Sequence, residues 1–269
     1  MNFLKNFNEN GVSVSFIGSG NLAWHLAPAL DNTDFAVKEV YSAHRKNAAA
    51  LAERLYQAEV KSSLDFSTST SRLFIISVND DAIQEVAQDI VLPPDSIVVH
   101  TSGSQPMSVL GYAGTDNIGV FYPLQTFSKT QRVDFKEIPI LVESENADTE
   151  RVLMKMGKAI SKKVYKVSSQ HRKSLHIGAV FASNFTNHMI TIAQEILEDK
   201  GLDLELLKPL IVETINKSLA IGPEKAQTGP AKRGDLEILD KHIEYLQYDE
   251  KLAEIYRVIS QHILDKYQD

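Results

Sequence analysis

A strand that runs directly into a Gly-x-Gly-x-x-Ala turn and out into a helix leaves a chain few folds to adopt. Here that feature is Val12-Ser-Val-Ser-Phe-Ile-Gly18-Ser-Gly20-Asn-Leu-Ala23. Gly18 allows the tight turn, Gly20 lets the backbone approach a pyrophosphate, and Ala23 permits close packing of helix on strand. The first amides of the helix, at the positive end of its dipole, then face the phosphates. Taken alone the turn is weak, because an ordinary tight turn uses the same glycines.

Context strengthens it. Short β-rich runs at 12–17, 37–42, 73–78, 97–101, 118–121 and 138–142 alternate with helix-compatible segments at 22–30, 47–57 and 80–89, the pattern of a parallel sheet with helices on both faces. Right-handed crossovers make a doubly wound α/β Rossmann sheet the economical fold. The 269 residues suggest two domains. Beyond 148 the texture changes, with a helix at 149–160 and a last strand at 164–167. From about 169 onward nearly everything reads as helix, so the boundary is placed at 165, giving domains 1–165 and 166–269. The segment 173–197, apolar on most sides, reads as the buried central helix of an all-α domain. Gly201 suits a helix cap, 204–220 a further helix, 222–235 a loop, and 236–267 one or two helices broken near 247–249.

Composition narrows the function. With 43% hydrophobic and 23% charged residues and no long apolar run, a membrane span is not expected. Residues 1–11 lack the apolar core and cleavage site of a signal peptide, so export is not expected. The absence of cysteine excludes thiol nucleophiles and Cys-ligated metal, and fits a reducing cytoplasm. No metal is expected. A net charge of -7 argues against a nucleic-acid partner.

About 20 residues after such a turn an NAD site supplies Asp or Glu to the ribose hydroxyls. This chain reads Tyr41-Ser42-Ala43-His44-Arg45 instead. A 2′-phosphate would meet no like charge there, while Ser42 donates a hydrogen bond and Arg45 pairs with it and stacks on adenine, so NADP is favoured over NAD. Arg45 at a solvated helix start is the plainer alternative. The residues expected to hold the cofactor are Gly18, Ser19, Gly20, Asn21, Leu22, Ser42, His44, Arg45, Val78, Asn79, Asp80, Thr101, Ser102 and Gly103.

A small-molecule substrate would sit outside the carboxyl ends of the strands. Those ends carry Asn79-Asp80, His100 to Ser104, and Tyr122-Pro-Leu-Gln125, each of which also has an ordinary turn or capping use. Tyr122 and Gln125 are taken as substrate contacts. At 100° per residue, His176, Ser183, Asn187 and Gln194 fall within roughly 20° of one another, a polar stripe on an otherwise apolar helix, broadened by Asn184, His188 and Thr191. Such a stripe faces water, a partner or a cleft. The loop 226–235 places Lys232 and Arg233 beside flexible glycines, which suits an anion; Thr228 and Arg233 are added to the substrate set.

The runs Phe16-Ile-Gly-Ser-Gly-Asn-Leu-Ala23, Ser77-Val-Asn-Asp-Asp-Ala-Ile83, His100-Thr-Ser-Gly103, Tyr122-Pro-Leu-Gln-Thr-Phe127, Ala182-Ser-Asn-Phe185 and Thr228-Gly-Pro-Ala-Lys-Arg-Gly-Asp235 resemble a family across nearly the entire chain. It joins a Rossmann-like domain to a helical domain of unknown function and is related to pyrroline-5-carboxylate reductase and the 6-phosphogluconate dehydrogenase-like enzymes. The resemblance implies an NADP-dependent oxidoreductase whose helical domain forms a homodimer. Similar dehydrogenases use a Lys on the long helix as general acid; here Lys173 stands at the helix start and His176 one turn on. The family often has His-Pro-Leu where this chain has Tyr122-Pro123-Leu124, a phenol of much higher pKa. The expected reaction is hydride transfer between NADPH and a small carbonyl or imine compound, with His176 or Lys173 supplying the proton and Asn184 or Asn187 orienting the substrate. The alternative is a dinucleotide-binding sensor or scaffold without turnover, since fold does not establish chemistry.

Overall fold

The computed structural model describes residues 11–268, so the reading of residues 1–11 as no signal peptide lies, but for Gly11, outside the described residues. By their contacts the residues divide into two compact units, one ending at Asn187 and the other beginning at His188. The boundary at 165 drawn from the sequence falls inside the first unit.

The first unit alternates β1 (Val14–Ile17), α1 (Asn21–Asp31), β2 (Val37–Tyr41), α2 (Arg45–Ala52), β3 (Glu59–Lys61), β4 (Leu73–Ile76), α3 (Ile83–Asp89), β5 (Ile97–His100), β6 (Ile118–Pro123), β7 (Ile140–Glu143), α4 (Ala147–Ile160), β8 (Val164–Lys166) and α5 (Ser169–Ala179). The strands form one sheet in the order β3-β2-β1-β4-β5-β6-β7-β8. β1, β4 and β5 are buried at every position, as expected of parallel strands covered on both faces. Successive side chains feed opposite cores: Phe16, Ile75 and Val99 pack with Leu26 and Phe121 on one face, Ile17, Phe74 and Val98 with Phe66 and Ile83 on the other.

The sheet is not wholly parallel. β7 runs antiparallel to β6, pairing Pro123 with Ile140 and Val120 with Glu143. The stretch 124–139 holds a 3-10 turn, Phe135–Glu137, in place of a crossover helix, so the chain doubles back. α4, capped by the Asn146 side chain accepting from the Asp148 and Thr149 amides at 2.9 and 3.2 Å, is a true crossover and returns β8 parallel to β7. β3, a short edge strand, is absent from the sequence reading.

α5 passes into a turn of π-helix, Val180–Phe185, and then into α6 (Thr186–Glu198), which straddles the division between the units. The sequence predicts this long helix to be buried, and it is not. α5 buries Arg172, α6 buries no residue, and Leu175, Ile177, Phe181 and Phe185 stand exposed. An all-round apolar pattern records that a face is covered without saying that this chain covers it.

The second unit holds most of α6 with α7 (Lys208–Ile221), α8 (Pro223–Ala226), α9 (Pro230–Arg233), α10 (Leu236–Tyr245) and α11 (Glu250–Tyr267). The stretch read as the loop 222–235 contains the short helices α8 and α9. Each has Pro at its start, where the missing N–H costs no helical bond. The break expected near 247–249 is present, and Asp249 caps α11 by accepting from the Lys251 and Leu252 amides.

Candidate active site

The glycine turn lies where the sequence places it, between β1 and α1. Gly18 has φ +110° and its amide donates to the Tyr41 carbonyl at 2.8 Å. A Cβ there would stand 2.0 Å from the Ser77 carbonyl oxygen, so the crossing of β1 and β4 ends admits glycine alone. Gly20 is different. Its φ of -69° is open to any residue, and a Cβ built on it meets nothing within 4 Å. It is the N-cap of α1, its carbonyl accepting from the Trp24 amide at 3.0 Å, and no side chain caps the first turn. The buried Ser19 hydroxyl has no hydrogen-bond partner among the described residues. Open space over Gly20, uncapped first-turn amides and an unpaired hydroxyl together suit an anionic group lying against the turn.

At the end of β2, Ser42 is half-buried and His44 and Arg45 are exposed, His44 as the N-cap and Arg45 as the first residue of α2. Past β4, Val78 is half-buried, and Asn79 precedes a 3-10 turn over Asp80–Ala82. Past β5, the Ser102 amide donates to His100 Nδ1 at 3.1 Å, and the Ser102 hydroxyl accepts from the amides of Ser104 and Gln105 at 3.1 and 3.0 Å. Thr101 Oγ1 reaches the Ile76 carbonyl at 3.4 Å, and the Ser104 hydroxyl donates to the Asp80 carboxylate. These bonds hold the ends of β4 and β5 as one rigid rim. With Nδ1 accepting, the neutral His100 ring carries its proton on Nε2. Burial, joined by the charge of Arg172, lowers the His100 pKa to about 4.

Gly103 follows on this rim, and over it Tyr122 from β6 meets His176 from α5, with the phenol oxygen 3.1 Å from His176 Nδ1. The rings lie edge to face with centroids 6.1 Å apart. A Cβ on Gly103 would come within 2.6 Å of His176 Nδ1 and 2.7 Å of Tyr122 Cζ, so only glycine leaves room for the pair. Burial, with the nearby negative charge of Asp80, raises the Tyr122 pKa, and Arg172 opposes the shift.

Around this pair opens a cavity of about 550 Å³ within the first unit, walled by Asp80 and Thr101 to Gly103 on the rim, Leu124 to Phe127 on the loop after β6, and His176, Ala179, Val180 and 182–184 on the helix. The structure therefore brings together His176, Asn184, Tyr122, Gln125, Asp80, Thr101, Ser102 and Gly103 from the sequence prediction. It does not bring Lys173 or Asn187 to the same wall. Thr228 and Arg233 belong to the second unit, where Thr228 lines an apolar hollow and Arg233 is exposed at the end of α9. The π turn accounts for Asn187. It takes an extra residue into the winding, with Thr186 Oγ1 donating to the Phe181 carbonyl at 3.1 Å, and every residue beyond falls one place out of the 100° phase counted from His176. Ser183 and Asn184 both reach the cavity from the widened turn.

Three residues, Arg172, Glu143 and Ser169, went unread in the sequence. Arg172, fully buried one turn before His176, donates to the Glu143 carboxylate and to the Gln105 carbonyl. Ser169 adds its amide and hydroxyl to the same carboxylate, each at 2.8 Å. Strand register puts Glu143 opposite Val120, itself paired with His100, so the ion pair pins α5 to the rim. The one local signal was a cation on the face of the helix that His176 shares.

Two domain families match the chain: a Rossmann-like domain over residues 4–120, and a domain of unknown function, DUF2520, over 138–263. A Bacteroides fragilis structure named "putative NADP oxidoreductase" is 38% identical, covers 95% of this chain and 99% of its own, and superposes with a TM-score of 0.85. A Thermotoga maritima protein shares 21% identity over 95% of this chain and 100% of its own, TM-score 0.69. A reductive aminase from Aspergillus terreus, solved with NADPH and ethyl-5-oxohexanoate, shares 13% identity over 95% and 94%, TM-score 0.70. No curated protein matches.

Proposed function

The chain belongs to the family that joins a Rossmann-like domain to the DUF2520 domain, and from that premise we propose that it is an NADP-dependent oxidoreductase acting on a small carbonyl or imine compound. The observation that bears most weight is the turn at Gly18 to Asn21. Its open space over Gly20, its uncapped amides and the unpartnered Ser19 hydroxyl fit a diphosphate. Asn21 and Leu22 begin the helix that faces it. When bound, the dinucleotide supplies the hydride.

Preference for NADP rests on the end of β2. Residues 41–46 hold no carboxylate, while Ser42, His44 and Arg45 offer a hydroxyl, an imidazole and a guanidinium to a 2′-phosphate. Val78, Asn79, Thr101, Ser102 and Gly103 would line the nicotinamide side. His176 handles the proton through its bond to Tyr122, and Asn184 with Gln125 orients the substrate. Lys173 and Asn187 stand as weaker candidates, because neither lines the cavity. The residues 1–165 would serve the cofactor and 166–269 the substrate and a homodimer. The homodimer reading is supported by the exposed apolar side chains of Leu206, Leu210 and Leu219. No helix among the described residues is long and apolar enough to cross a membrane, and with no cysteine in the chain we place it in the cytoplasm.

Calorimetric titration with NADPH and NADH tests the reading. NADPH should bind at least about tenfold tighter, and Arg45→Ala should weaken NADPH far more than NADH. Equal affinity, with equal loss in the variant, would remove the 2′-phosphate assignment. Tight NADPH binding with no oxidation across a panel of ketones and imines would favour the sensor.

A further inference from the structure

The charge lining the cavity says more about the substrate than its size does. Among the described residues that wall it, Asp80 is the one carboxylate, and none is a lysine or arginine. The guanidinium of Arg172 is buried behind the rim and paired with Glu143, and at Tyr122 its charge opposes that of Asp80 without outweighing it. Other polar groups of the wall, among them Tyr122, Gln125, Ser183, Asn184 and His176, orient a ligand but supply no fixed positive charge. A carboxylate or phosphate entering here would lose water and meet a like charge, whereas a cation would meet an opposite one.

Resting on the oxidoreductase reading above, we propose that the cavity takes a cationic nitrogen substrate, an iminium ion formed with loss of water from a small amine and a carbonyl compound, and turns away carboxylates and phosphates. The chemistry agrees with the groups present. Reduction of a carbonyl needs an acid to protonate the alkoxide as it forms. An iminium needs none at that step. As hydride from NADPH reaches carbon, the C=N π pair moves onto nitrogen, the positive charge is cancelled, and neutral amine and NADP⁺ result. The amine then takes its proton from Tyr122 or water, with His176 next in line to replace it.

Binding of two probes of similar shape and opposite charge tests the proposal without any turnover. Full-length protein saturated with NADP⁺ is titrated calorimetrically with cyclohexylammonium and with cyclohexanecarboxylate at neutral pH and low salt. The ammonium should bind at least about tenfold tighter, and the ratio should shrink on adding salt, because Asp80 is exposed. Asp80→Asn, which preserves the shape and an acceptor for Ser104, should bring the two within about threefold. A carboxylate bound as tightly as the ammonium, or no ammonium binding in the millimolar range, overturns the proposal. Titration of NADPH alone separates the two readings. If NADPH fails to bind, the dinucleotide assignment falls; if it binds and the charge preference is missing, only the substrate class falls.

Discussion

Tyr122 and His176 meet 3.1 Å apart over a glycine that has no room for a methyl group. One comes from a strand and the other from a helix more than fifty residues on, and the rim residue Gly103 decides whether they touch. Gly103→Ala should therefore push the rings apart and lower kcat/KM by about tenfold or more, the range of a lost proton-handling contact. Affinity for NADPH should fall far less. Tyr122→Phe keeps the ring and removes the hydroxyl, and should give a similar loss of kcat. A Gly103→Ala protein with full activity would show that the contact plays no part in turnover.

The two glycines of the cofactor turn should part company on substitution. Gly18→Ala places a methyl against the Ser77 carbonyl at a positive φ and should destabilise the fold by several kcal/mol, on the order of the strain and overlap involved. Gly20→Ala meets no atom of the described residues and has an ordinary φ, so thermal unfolding should be within about 1 kcal/mol of wild type. Its NADPH affinity should nevertheless drop by at least about tenfold if the space is where the pyrophosphate lies. Unchanged affinity in that variant would argue that the turn holds no phosphate.

Arg172→Met should cost about 3–5 kcal/mol in denaturant unfolding, because it strands Glu143 beside the rim with no counter-charge. The double variant Arg172→Met with Glu143→Gln should recover a good part of that loss. Additive losses would mean that the pair is not coupled.

His100 gives a pH dependence with a defined sign. Its folded pKa, about 4, lies below the ordinary value of 6.5, so protons bind the unfolded chain more tightly and stability is lost as pH falls between those values. From pH 7.5 to pH 5 the loss should be on the order of 2 kcal/mol, measured by urea unfolding. His100→Gln, which cannot take up the proton, should flatten that part of the profile.

How much of this was legible follows from the range of each signal. The glycine turn, the strands other than β3 and the break near 247–249 are local patterns, and they stand where the sequence puts them. β3 was not legible, since Glu59-Val-Lys61 is three residues long with one apolar side chain. The reversal of β7 was not legible either, because alternation marks a strand without giving its direction. Arg172 and Glu143 are 29 residues apart, and only the register of β5, β6 and β7 brings them together. The stripe from His176 to Gln194 assumed unbroken α-winding, and the π turn at Val180–Phe185 breaks it. Tyr122 and Gln125 were reached from the rule that ligands sit at strand ends, without any hint that the phenol would find an imidazole.

The π turn has a consequence for how such a site can diversify. A helix wound this way stores a spare residue, and removing one position between 180 and 185 would return the ladder to regular i→i−4 bonding with its backbone still paired. The helical wall of the cavity can thus be redrawn by a single-codon deletion while the facing strands keep their register, a freedom the sheet side does not have, since a slip of one residue there turns every side chain to the opposite face.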